Sequence, residues 1–435
     1  MSKVRTRLAP SPTGIPHIGT IRTALFDYLL AKKHGGDFVL RIEDTDKKRY
    51  VEGSLPAIYQ SLDFLKLTPD EGPKQGGPNS PYVQTKRLDH YQKVAQELID
   101  KGAAYKDEGA LRIKMPKEGE TVFEDLIQGQ IKIPNDQVDD KVLVKSNGIP
   151  TYHLAAMVDD HLMEITHIIR GVEWISSTPV HIRIYEALGW DMPKLMHVPL
   201  LLGPDKSKLS KRHGAKSALQ YKDEGYLPEA INNFLFFLGF SYQDNSAILT
   251  IKEMIKIFSI DKLQKQNAIF DIEKLNYFNG AWIRKLDDSD LTDRIMDFVP
   301  QDWSKDKMRQ ITPLIKERLV TLKDAQDRSL IFFELPEYST EDLLEQSQTD
   351  KEATYDFVSQ AKEELEKMDN WKTKKIEEKL RQFQSDSGWG PRQAFMTIRL
   401  ASTGRKATPP LFETLQIIGR DEVVNRLDTA LQKLE

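Results

Sequence analysis

The 435-residue chain has no cysteine, which excludes a disulfide framework, a thiolate zinc site and a cysteine nucleophile and suits a reducing cytosol. Also lacking is any apolar run near the roughly 18 residues that span a bilayer. The start, Met1-Ser2-Lys3-Val4-Arg5-Thr6-Arg7, is positively charged but leads into a proline-rich polar stretch, not an apolar signal core. The expectation is a soluble, cytoplasmic protein with no membrane partner. An excess of either charge is missing too: 62 Lys plus Arg stand against 66 Asp plus Glu, a net of −4, so a nucleic-acid partner must be met by a local basic surface. The chain has no internal repeat, no low-complexity block and no histidine–carboxylate arrangement at metal-cage spacing. No protein-held metal is therefore expected, zinc included.

What is present is length and alternation. At roughly 100 to 200 residues per domain the chain makes two to four domains. Val4, Thr6 and Leu8 alternate with Arg5 and Arg7, which is strand spacing, and the turn Ala9-Pro10-Ser11-Pro12-Thr13-Gly14 ends it. Ile18, Ile21, Leu25, Tyr28 and Leu29 recur at helical intervals up to Gly35-Gly36, and Phe38 to Ile42 reads as a second strand. Strand, helix, strand starts a parallel sheet with a right-handed crossover, whose ligands bind beyond the carboxyl ends of the strands. Residues 105 to 150 read as short polar strands and turns, an insertion. Strand-like runs return at Thr151 to Val158 and Ile165 to Ile169, followed by a helix from about Pro179 to Leu188 and a run from Val198 to Leu202. From Pro228 the pattern is almost wholly helical, with loops near 241–248, 300–305 and 335–340.

Two segments can carry chemistry. Prolines and glycines place His17, Gly19 and Thr20 at a helix amino terminus, where unpaired amides and the helix dipole suit phosphate. Lys206, Lys208, Lys211 and Arg212 crowd one loop that can wrap a polyphosphate. Phosphoryl and nucleotidyl transfer rely on donors set against charge on phosphorus oxygens, and His17, Lys208 and Lys211 would be those donors. Alone, a His-Ile-Gly triplet is usually just a helix start and a lysine-rich loop a solvated surface; together, in this order, they are far more specific.

With Arg7-Leu8-Ala9-Pro10-Ser11-Pro12-Thr13-Gly14, His17-Ile18-Gly19-Thr20, Arg41-Ile42-Glu43-Asp44-Thr45-Asp46, Pro150-Thr151-Tyr152-His153-Leu154, Val158-Asp159-Asp160-His161, Ile169-Arg170-Gly171 and Lys208-Leu209-Ser210-Lys211-Arg212, the chain resembles the bacterial-type glutamyl-tRNA synthetases of class I. The likeness is most specific in residues 5–50 and 148–240 and weaker beyond about 285. It implies an α/β Rossmann-type class I catalytic domain with a shortened acceptor-binding insertion, followed by an all-α anticodon-binding region. The expected layout is 1–104 and 151–225 for the two catalytic halves, 105–150 for the insertion, 226–300 for a helical stem-contact domain and 301–435 for the anticodon-binding region.

The resemblance implies ATP binding by His17, Gly19, Thr20, Glu173, Leu200, Lys208, Ser210 and Lys211, with magnesium carried on the ATP phosphates. It implies glutamate binding by Arg7, Ala9, Ser11, Glu43, Tyr152 and Arg170. An arginine fork matches a carboxylate with two charge-assisted hydrogen bonds, whereas glutamine's amide would leave it poorly paired. Thr20 and Arg212 depart from the general class signatures but are similar to variants within the family. Ala156 stands where some members have asparagine. Asp159 and Asp160 read either as ordering the active site or as solvated carboxylates after a strand, and Trp174 either as bordering adenosine or as core.

Residues 371–406 hold nine Lys or Arg against three acids, a patch suited to phosphate. Trp371, Phe383, Trp389 and Phe395 among them either stack on bases or form core. Arg318, Arg392, Arg399 and Arg405 are the expected tRNA contacts. The partners implied are tRNA-Glu, L-glutamate and ATP, with a monomeric chain. Other readings are an enzyme that also charges tRNA-Gln, a tRNA-modifying paralogue resembling only the catalytic half, an inactive tRNA-binding module and a small-molecule nucleotidyltransferase. The roughly 220 residues after Arg212 weigh against the paralogue, and the presence of His17, Lys208 and Lys211 against the inactive module.

Overall fold

The computed structural model describes residues 3–209 and 216–435; the expected site residues Ser210 and Lys211, with Arg212, lie outside them. The chain divides into two compact units, Met1–Asn279 and Gly280–Glu435. The division falls inside the 226–300 segment expected as a separate domain.

In the first unit, β1 (Arg5–Leu8), α1 (Ile18–Lys33) and β2 (Asp37–Leu40) form the expected strand–helix–strand unit. The two strands are parallel, with Arg5 opposite Asp37 and Leu8 opposite Leu40. Gly36 makes the return possible, since a Cβ there would collide with the carbonyl of Val4. Next come α2 (Ser54–Phe64), α3 (Leu88–Asp100), β3 (Ala104–Asp107), β4 (Ala110–Ile113), β5 (Glu120–Asp125), β6 (Gly129–Pro134) and β7 (Val142–Val144). The insertion is thus built of strands, and no α-helix lies between α3 and Tyr152 among the described residues. After it follow α4 (Tyr152–Leu162), β8 (His167–Gly171), α5 (Thr178–Leu188), β9 (Lys194–Val198), β10 (Leu201–Leu202), α6 (Ala218–Asp223), α7 (Pro228–Phe237), α8 (Ile251–Ile257), β11 (Ala268–Ile269) and α9 (Ile272–Lys285).

A four-stranded sheet runs β6-β5-β9-β8. β8 also lies beside β1, where the Thr166 amide donates to the Arg5 carbonyl at 3.0 Å. Strand β1 therefore has β2 on one side and β8 on the other. The carboxyl ends of β1 and β8 open side by side, the place where a doubly wound sheet accepts ligands.

Three expectations fail for identifiable reasons. Thr151 to Val158 is not a strand but the start of α4, whose residues Leu154 to Val158 are all fully buried. An apolar run with no polar face gives no periodicity to separate strand from helix. Asp159 and Asp160 consequently sit inside that helix with no solvent exposure, not in a loop. Finally, β9 stops before Pro199, and Leu201–Leu202 pairs instead with β11, a short strand in the half expected to be almost wholly helical.

The second unit is helical from Asp288–Ile295 to Arg420–Leu434. Among the described residues no helix is long and apolar enough to cross a membrane.

Candidate active site

His17 is the N-cap of α1. Its Nδ1 accepts from the amides of Gly19 (3.1 Å) and Thr20 (3.4 Å). An acceptor at Nδ1 puts the neutral ring's proton on Nε2, which faces Thr20 Oγ1 at 3.4 Å. Gly19 leaves room for this, because a Cβ would come within 3.0 Å of the imidazole. The amides expected to await phosphate are thus taken by His17 itself, and the ring presents Nε2–H in their place. Partial burial lowers the His17 pKa; Glu173 opposes that and Lys208 adds to it.

Those shifts also place Glu173 and Lys208 within electrostatic reach of His17. Lys208 lies on the return arm of a turn: Gly203 donates to the Ser207 carbonyl and Leu209 to that of Leu201, both at 2.9 Å. The chain comes back to α1 where Ser217 bridges His17. Leu200 is fixed by its amide, which donates to Asn267 Oδ1 at 2.9 Å. Lys208 and Ser217, some 190 and 200 residues after His17, are therefore brought to the start of α1. His17→Ala removes both the cap and the Nε2 donor. The expected result is a loss of about 1 kcal/mol of stability together with a large drop in turnover. His17→Asn is expected to restore the melting temperature by recapping the helix but not the turnover; parallel recovery of both would reduce His17 to a cap.

At the neighbouring strand ends, a buried ion network surrounds Arg7 and Glu43. Arg7 Nε donates to Asp160 Oδ1 at 3.1 Å, and one of its terminal nitrogens reaches the Ile169 carbonyl at 3.2 Å. Arg41, wholly buried, donates to the same Asp160 oxygen at 2.7 Å and to Glu43 Oε1 at 2.9 Å. Asp159 hydrogen-bonds Arg87, Tyr91 and Gln84 and also lies 3.7 Å from Arg41 Nε. Burial would raise the Asp160 carboxyl, yet Arg41 and Arg7 hold it below the usual range. Burial raises Glu43, with Arg41 pulling against it. The Glu43 amide is tied to the Pro10 carbonyl at 3.1 Å, beside half-buried Ala9 and exposed Ser11. The solvated reading of Asp159 and Asp160 is thus wrong: both are buried within an ion network.

Arg170 is different. It lies one residue before the end of β8 with 6% exposure, and its hydrogen-bond acceptors among the described residues are all neutral: His197 Nε2 (2.9 Å), His181 Nδ1 (3.0 Å), Thr178 Oγ1 (2.9 Å) and Tyr152 Oη (3.4 Å). An arginine cannot accept, so both imidazoles must turn a lone pair toward it. Burial drives the His181 pKa well below normal, and Arg170 and His153 push the same way. Burial likewise takes His153 to about 4. Trp174 packs against Tyr152 with ring centroids 4.3 Å apart and planes tilted by 36°. A buried guanidinium among neutral acceptors is a receptor for an anion. Nothing in the sequence marks Asp125, His181 or His197 for a role, and Arg41 appears there only as the first residue of a resembling segment. Arg41 and Glu43 are two residues apart just beyond the end of β2, whereas nothing local connects Asp125 to His197.

In the second unit, exposed Arg318 and half-buried Arg399 lie within electrostatic range: burial lowers the Arg399 pKa and Arg318 lowers it further. Arg392 is exposed. The basic patch is less basic than its composition, because acids outside 371–406 pair with it: Glu364 with Lys379 at 2.5 Å, Asp327 with Arg405 at 3.4 Å and Asp342 with Lys406 at 2.9 Å. The aromatic rings pack inward. Trp389 stacks on Phe357 at 3.9 Å with Phe383 nearby, Phe395 meets Phe412, and Trp371 donates to the Leu415 carbonyl.

A split parallel sheet, a His-Ile-Gly helix start facing a lysine-bearing turn and a helical carboxyl-terminal unit together define a class I aminoacyl-tRNA synthetase. Residues 3–110 and 108–277 match the catalytic domain of class I tRNA synthetases (E and Q), and residues 290–431 an anticodon binding domain. A glutamate–tRNA ligase of Dehalococcoides mccartyi is 39% identical over 100% of this chain and 98% of its own. That of Thermus thermophilus is 38% identical over 98% of this chain and 100% of its own. The crystal structure of a glutamate tRNA ligase from Elizabethkingia meningosepticum, in complex with its amino acid, superposes with a TM-score of 0.92 at 33% identity, covering 100% of both chains. The chain belongs to the glutamate–tRNA ligases, aminoacyl-tRNA ligases that use ATP.

Proposed function

We propose that this chain activates L-glutamate with ATP and transfers it to the 3′ end of tRNA-Glu, with Arg170 holding the side-chain carboxylate. The observation that carries this reading is the charge of Arg170, which its neutral surroundings leave for a ligand to balance, while the charge of Arg7 is already met by Asp160. Arg7 then orients the pocket with Tyr152, and Glu43 and Ser11 face the α-ammonium. The glutamate α-carboxylate attacks the α-phosphorus of magnesium-bound ATP, the bond to the β-phosphate oxygen breaks and pyrophosphate leaves. The Nε2–H of His17 and the ammoniums of Lys208 and Lys211 meet the charge that grows on the phosphate oxygens. The terminal ribose hydroxyl of tRNA next attacks the activated carbonyl and AMP departs. No covalent enzyme intermediate is needed, so positioning and charge stabilisation are the devices. Magnesium enters with the nucleotide, and the protein acts as a cytoplasmic monomer.

Arg318 and Arg399, two cations held in range of one another, favour a polyanion at that end of the second unit; Arg392 and Arg405 extend the same contact. Exchange of labelled pyrophosphate into ATP, with glutamate and tRNA both supplied, is expected well above background, and its absence would refute the proposal. Aminoacylation of tRNA-Glu and tRNA-Gln by the native chain and by Lys211→Ala completes the test. The variant is expected to lose roughly 10²-fold in rate, as for removal of one transition-state donor; an unchanged rate removes Lys211 from the mechanism.

A further inference from the structure

Behind Arg170 lies a pair of residues that the reaction scheme does not use. His197 is fully buried on β9; its Nε2 accepts from Arg170 Nε at 2.9 Å and its Nδ1 lies 2.6 Å from Asp125 Oδ2. Asp125, at the end of β5, comes from the insertion and is brought there by the single parallel register Asp125 opposite Leu195. Its two oxygens divide their work. Oδ1 caps the turn by accepting from the amides of Ile127 (2.9 Å) and Gln128 (2.8 Å), while Oδ2 faces the His197 ring and amide.

We propose that Asp125 and His197 are specificity-determining positioning residues that lock Arg170 in the orientation reading the glutamate carboxylate. This rests on the reading of Arg170 given above. A carboxylate at Nδ1 fixes the imidazole proton there and turns the Nε2 lone pair toward the arginine; the opposite tautomer would point N–H at N–H. Burial lowers the His197 pKa, so the ring stays neutral despite Asp125, whose own carboxyl is held low by His197 and the two turn amides against the effect of burial. The fork of Arg170 is thereby aimed before glutamate arrives. The insertion contributes one residue to amino-acid selection as well as lying where the acceptor end is expected.

The test is a set of variants assayed by tRNA-dependent pyrophosphate exchange, with KM measured separately for glutamate and ATP. Asp125→Asn places an amide NH2 against either the turn amides or the His197 ring, so it forces a donor–donor conflict. Its KM for glutamate is expected to rise roughly 10- to 100-fold, as when a partner that orients a ligating histidine is removed, with KM for ATP unchanged. His197→Leu should match it. His197→Gln, whose side-chain oxygen can still accept from Arg170, should stay within a few-fold of the native chain. It also leaves the turn capped by Asp125, which guards against simple misfolding. A glutamate KM unaltered in His197→Leu, an equal rise for both substrates, or failure of glutamine to rescue overturns the proposal. If Arg170→Gln itself leaves glutamate KM unchanged, the underlying reading of Arg170 has failed instead.

Discussion

Arg170→Gln is expected to raise KM for glutamate by roughly 10³-fold while leaving KM for ATP within a few-fold. Removing one member of a buried charge pair costs about 2–5 kcal/mol, and the upper half of that range corresponds to this factor. The substitution also changes what the pocket asks for. Glutamine at 170 is neutral, can donate and accept, and leaves His181 Nδ1 and His197 Nε2, now 3.0 and 2.9 Å from the guanidinium, turned toward an uncharged amide. Selectivity for glutamate over glutamine should therefore collapse along with affinity. Competition between the two amino acids in the pyrophosphate exchange assay measures this directly. Retention of full glutamate preference would show that another cation reads the carboxylate, with Arg7 the candidate to examine.

Asp160→Asn is expected to destabilise the first unit by about 3–5 kcal/mol, the usual consequence of leaving buried charge without its partner. Asp160 is wholly buried and serves two guanidiniums, Arg7 at 3.1 Å and Arg41 at 2.7 Å. Its loss leaves Arg7 with a carbonyl as its remaining close acceptor, whereas Arg41 keeps Glu43. Denaturant unfolding followed by far-ultraviolet circular dichroism gives the measurement; a change below about 1 kcal/mol would mean that the network is not the scaffold its geometry implies. Because an unfolding transition of a two-unit chain need not be two-state, the first transition is the one to compare.

How far the sequence reveals this molecule depends on the range over which each cause acts. The β1–α1–β2 unit and its turn were legible because alternation, helical spacing and the Gly35-Gly36 stop are all local. His17 was legible as a helix start, but not as the acceptor that consumes two amides of its own helix. Helix α4 was misread because complete burial erases polarity contrast, and with it went the placement of Asp159 and Asp160. Arg7, Glu43 and Arg170 were reached through family likeness. The pairings that orient them were not, since Asp160 meets Arg41 across 119 residues and Asp125 meets His197 across 72. The charge of the 371–406 patch was overstated for the same reason: composition within a window cannot count acids such as Glu364, Asp327 and Asp342 brought to it by folding.

The two-residue ladder between β10 and β11 has a practical consequence for anyone dissecting this chain. Leu201 and Leu202 are held by Ala268 and Ile269, so a fragment trimmed at residue 225, where the catalytic part looks finished in one dimension, would leave the root of the lysine turn as a bare sheet edge. A fragment carried to the end of α9 at Lys285 keeps that seam closed without cutting the helix, which makes it the shorter piece of this protein worth expressing alone.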